Sequence, residues 1–177
     1  EAARALAAAQ RVAAERKDDP AVGRDSLLGV AARFPGTPEA EEARREAEAL
    51  TKLVFDAGFK RFEALTTEAI ALVRDGGFRA ASDAIDAFAA EWEPRQLPGL
   101  SEQLANLRRA VDQQAQVRLD DAVKRLEAAT TQEAMAAAQK ALDDLLPRIP
   151  DRVAEPARAK LDALARDRAR REAEAAA

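Results

Sequence analysis

The chain has 177 residues, 47% of them hydrophobic, 34% charged and only 4% aromatic, with a net charge of −4. That length suits one ordinary domain or a short repeat array, and the interspersed acids and bases create no field that draws nucleic acid or a membrane surface. With no His, Cys or Tyr, the chain is denied disulfides, thiol catalysis, Ser-His-Asp constellations and most zinc sites, so no catalytic residue, cofactor or metal ligand is expected.

Read from the start, Glu1 opens directly into a helical pattern that Asp18-Asp19-Pro20 ends. A second helix ends at Phe34-Pro35-Gly36-Thr37-Pro38. Thr37 is placed to cap the next helix, with Pro38 at its first position and Glu39, Glu41 and Glu42 favourable near its positive end. The pattern then runs unbroken to Arg74, where Asp75-Gly76-Gly77 signals a turn. A short helix is predicted over Phe78 to Trp92, a loop over Glu93 to Pro98 and a long helix from about Leu100 to Ala129. Thr130-Thr131 begins another short helix ending near Leu146, and Pro147-Arg148-Ile149-Pro150 breaks the chain again. For the final helix, Asp151 as cap and Pro156 as first residue are both open. Its last residues are still helical in character, and both ends read as cut from a longer protein.

Every segment carries apolar residues at helical steps, as in Phe78, Ala81, Ile85, Phe88 and Trp92, or Leu104, Leu107, Val111, Ala115 and Leu119. None alternates like a strand. Alanine makes up about a quarter of the chain, which favours helix and closely approaching helices. Its abundance, with Arg well above Lys, fits a GC-rich bacterial genome; the compartment stays open.

The pattern repeats. Ala47, Leu104 and Leu161 fall in register about 57 residues apart, as do Leu50, Leu107 and Leu164. The breaks Phe34-Pro35, Trp92-Glu93-Pro94 and Ile149-Pro150 recur at nearly the same spacing, each with a bulky side chain to plug a corner before a proline that stops the helix. A helical unit at fixed period signals a solenoid, in which each repeat buries its apolar face on its neighbours. The expected fold is therefore all-α, one array of helical hairpins with alternating long and short helices, repeating at about 1–74, 75–130 and 131–177.

The stretch Asp75 to Pro94 resembles the second helix of a tetratricopeptide repeat, with Gly76, Phe78, Ala81, Ile85, Phe88 and Pro94 at the family's positions and Ala57-Gly58 as the small pair of the first helix. Ala32 to Ala43 is similar to the linker between such repeats in bacterial envelope and signalling proteins. A standard unit is about 34 residues, so the likeness covers the short helices and turns, and the long helices are extended. It implies a module that binds a protein or peptide partner through a groove.

Candidate contact residues follow from breaks in the pattern. Gln113, Gln114 and Gln116 interrupt the apolar run in mid-helix, where they can line a polar groove or simply face solvent. Arg158, Lys160, Arg166, Arg168, Arg170 and Arg171 make the last helix locally basic, diluted by Asp162, Asp167 and Glu172; it reads as a solvated surface helix or, with Arg166 and Arg170 as the candidates, as a site for an anionic partner. Phe55, Phe59 and Phe62 are expected to form a buried inter-helix face, the alternative being an exposed binding stripe. Asp120-Asp121 and Asp143-Asp144 are adjacent on helices, so their side chains diverge and they read as solvated faces. The functional expectation is a non-catalytic module for protein–protein interaction or scaffolding. The alternatives are a rod that self-associates through its end helices, or the docking region of a larger signalling protein such as a Ser/Thr kinase. No run of residues is apolar enough to span a bilayer.

Overall fold

The computed structural model describes residues 1–175, with the side chains of 168, 171, 172 and 175 outside the description. Among the described residues there are seven α-helices and no strand: α1 (Ala2–Glu15), α2 (Pro20–Arg33), α3 (Pro38–Arg74), α4 (Phe78–Trp92), α5 (Leu100–Ala128), α6 (Gln132–Leu145) and α7 (Asp151–Ala175). Single 3-10 turns over Glu93–Arg95 and Leu146–Arg148 follow α4 and α6. The all-α class follows directly, as does the alternation of 37-, 15-, 29-, 14- and 25-residue helices from α3 onward.

Local chemistry sets the boundaries. The Thr37 hydroxyl accepts from the Ala40 amide at 3.2 Å and starts α3, and Thr131 does the same for Ala134 and α6. Each satisfies an amide that the first helical turn leaves without a partner. At the end of α3, Gly76 turns left-handed (φ 79°), its amide bonding Val73 and that of Gly77 bonding Leu72 at 2.8 Å. These two bonds close the helix with a Schellman motif, which favours glycine at the left-handed position. Asp151 is the first residue of α7 and not its cap, and Pro156 lies inside the helix, where it cannot bond the Arg152 carbonyl.

The chain forms two compact units, residues 1–63 with 92–100, and 64–91 with 101–177. In the first, Leu6 and Ala9 of α1, Leu27, Val30 and Ala31 of α2, and Ala40, Ala43 and Ala47 of α3 form one core. Phe34 packs against it partly buried. Small residues let the helices approach closely. A Cβ on Gly23 would stand 2.8 Å from the Ala13 backbone, and one on Gly58 would strike the Leu97 side chain and stand 2.9 Å from the Trp92 ring. Arg95 stacks over that ring at 4.5 Å and bonds Asp19 at the start of α2 at 2.9 Å.

The second unit buries Phe78, Ala81 and Ile85 of α4, Leu104, Val111, Ala115 and Leu119 of α5, Leu142 of α6, and Ile149, Val153 and Ala154 around the start of α7. Arg108 on α5 ties to Asp86 on α4 at 2.8 Å. Arg152 forks onto Asp112 with bonds of 2.7 and 2.8 Å and supplies the buried Ser82 hydroxyl with a donor at 3.1 Å.

Burial of the residues in the expected register is mixed. Ala47 and Leu104 are buried while Leu161 is only partly so, and Leu50, Leu107 and Leu164 are all partly buried. Trp92 and Ile149 fill their corners. Phe55, Phe59 and Phe62 do not form a buried face. Phe55 is 38% exposed and stacks on Phe59 at 4.4 Å, because Val54 and Gly58 take the inward positions of α3.

Candidate functional site

The second unit leaves two grooves open between its helices. One lies between α3 and α5. Ala69 and Val111 are its buried floor, Val73 and Leu107 line it partly buried, and Ile70, Ala110 and Gln114 stand at its edge. It holds about 240 Å³. Ile70 is 63% exposed, more than expected for a large aliphatic side chain with a helix beside it, and Val117 further along α5 is 54% exposed.

The other groove lies between α5 and α6, which the three residues 129–131 join into an antiparallel hairpin. Ala122, Ala138, Ala141 and Leu145 form its apolar bed, and Arg118, Asp121 and Arg125 its border. Its volume is about 210 Å³. The apolar side of α6 is lightly used, since Leu142 is its only buried residue.

A notch in the first unit is larger, about 370 Å³, and is lined by Arg24, Asp25, Leu28, Thr51, Pro94, Arg95 and Gln96. Its cations are already committed: Arg24 pairs with Asp25 at 2.7 Å and Arg95 with Asp19. Gln96 adopts a left-handed φ of 53° there, a conformation uncommon for a residue with a Cβ.

The glutamines singled out in the sequence are exposed on α5 but do not share a groove. Gln114 borders the α3/α5 groove, while Gln116 donates to Asp120 at 2.9 Å. Arg166 and Arg170 are held by their own helix, on the Asp162 carbonyl and the Glu174 carboxylate respectively. The expectations for Arg168 and Arg171 fall on side chains outside the described residues. Ile70, Arg118 and Arg125 were not distinguished in the sequence, although Arg118 and Arg125, seven residues apart, carry the helical signal of one shared face.

The perturbed titrations belong to the structural ties. The hydrogen bond from Arg79 and then its charge hold the Asp151 carboxyl below its usual range, and the same hydrogen bond raises Arg79. Arg152 is raised by its hydrogen bond to Asp112. Among the described residues no helix is long and apolar enough to cross a membrane. Comparison of the chain with protein-family models, with curated proteins and with solved structures gave no match.

Proposed function

We propose that the chain is a non-catalytic helical-repeat module that mediates protein–protein interaction, an α-solenoid of tetratricopeptide-like hairpins whose long helices present a groove to a peptide segment of a partner. The uncovered apolar groove between α3 and α5 carries this reading. Apolar area left open between rigid helices is a common feature of surfaces that receive another chain. At about 240 Å³ it falls below the roughly 300–1,000 Å³ of pockets that enclose small-molecule ligands. Its seven lining residues are also far fewer than the roughly 20–30 that a folded partner covers on each side. A short segment contributing one or two aliphatic side chains matches that size. The side-chain amide of Gln114 at the rim offers both a donor and an acceptor to a peptide group.

Two further observations favour binding over catalysis. The chain has no His, Cys or Tyr, and its shifted titrations sit in ion pairs that hold helices together rather than in a groove.

A random 12-residue peptide array probed with the wild-type chain and with Ile70→Asp tests the reading. The expected result is a set of peptides rich in Leu, Ile or Val whose binding is lost in the variant, with helix content by circular dichroism unchanged. An array on which the two proteins behave alike contradicts it.

A further inference from the structure

We infer that the α5/α6 groove is a second docking site, and that its occupant is an acidic amphipathic helix with carboxylates seven residues apart and a large apolar residue midway between them. The inference rests on the protein-binding reading above and adds the chemistry of the partner.

Charge and spacing carry it. Arg118 and Arg125 border the groove, and among the described residues neither guanidinium has an ion-pair or hydrogen-bond partner. Seven residues of helix place them on one face about 10.5 Å apart along the axis. Asp121 lies between them on the same border, three residues after one arginine and four before the other. It repels a carboxylate arriving at the middle and leaves the two ends for negative charge. Beneath the middle lies the bed of Ala122, Ala138, Ala141 and Leu145, which accepts an aliphatic side chain and nothing charged. The complement is acid, apolar residue, acid at positions i, i+3 or i+4, and i+7, the spacing of one face of a partner helix.

The test uses the full chain and a fluorescein-labelled, acetylated and amidated 16-residue peptide of Ala and Gln. The peptide carries two Glu seven residues apart with Leu at the third and fourth positions between them, and a second version has both Glu replaced by Lys. Fluorescence anisotropy should show the acidic peptide binding and the basic one not. The double variant Arg118→Glu, Arg125→Glu should weaken the acidic peptide at least tenfold and gain affinity for the basic one, while Arg44→Glu on α3 changes neither. Raising NaCl from 50 to 500 mM should weaken the acidic peptide severalfold by screening. Equal binding of the two peptides, no binding of either, or indifference to the double reversal overturns the inference. If the acidic peptide fails while the array still yields peptides that depend on Ile70, only this inference falls. If both fail, the protein-binding reading falls with it.

Discussion

The Arg79 guanidinium closes on the Asp151 carboxylate with two hydrogen bonds, Nη2 to Oδ1 at 2.7 Å and Nη1 to Oδ2 at 3.1 Å. Its Nε also donates to the Pro147 carbonyl at 2.9 Å and its Nη2 to that of Ile149 at 2.8 Å. One side chain on α4 thereby binds both the corner before α7 and the first residue of that helix. The planar fork is what allows this, since a lysine ammonium cannot make parallel bonds to both carboxylate oxygens and still reach the two carbonyls.

The sign of the pH effect follows from the shifts. Asp151 has a depressed carboxyl, held first by the hydrogen bond from Arg79. Its contribution to stability is fully present above the unfolded value of about 3.9, and is lost as pH falls through the lower folded value. Arg79 is shifted upward, so its contribution persists at every pH below its unfolded value and fades only in strong alkali. Asp151→Asn should lower Tm at pH 7, and the gap from wild type should close in acid below the usual carboxylate range. Arg79→Lys should fall between wild type and Arg79→Ala. Thermal unfolding followed by circular dichroism across pH 2 to 8 checks all three.

Two glycines six residues apart on α2 should respond oppositely to alanine. At Gly23 the new Cβ would press on the Ala13 backbone at 2.8 Å, which only a shift of α1 relieves, so Gly23→Ala should cost about 1–3 kcal/mol. At Gly29 nothing stands within 4 Å, so Gly29→Ala should gain roughly 0.5–1 kcal/mol from helix propensity alone. Urea unfolding of the two variants decides it.

Thr131 starts a helix that has one buried residue, Leu142, so its cap matters more than most. Thr131→Ala should cost about 0.5–2 kcal/mol and speed hydrogen exchange at the amides of residues 132–135 before any others. Uniform protection across that turn would mean that the packing of α6, and not its cap, holds the start of the helix.

Much of the helix layout was legible because its signals are local. Thr37-Pro38, Asp75-Gly76-Gly77 and Thr131 act within a few residues of themselves, and the observed ends fall close to them. The ties between helices were not legible. Arg79 and Asp151 are 72 residues apart, and in a chain that is 34% charged every arginine has nearer carboxylates to choose from. The phenylalanines of α3 failed for a different reason. Their helical spacing is correct, but Gly58 holds the inward position because only a residue without Cβ admits the Trp92 ring and Leu97, and size alone pointed to the neighbouring stripe. The grooves were hidden because periodicity identifies an apolar face without saying whether another helix covers it. Ile70 and Val111 both fit the helical pattern, yet one is exposed and the other buried.

Light scattering coupled to size exclusion, from micromolar to millimolar chain, most directly tests whether this is a discrete module whose grooves await a different partner. The account predicts a constant mass near 19.1 kDa at every concentration. A mass that climbs with concentration would contradict it, because the chain would then be its own partner and the rod that self-associates through its end helices would take its place.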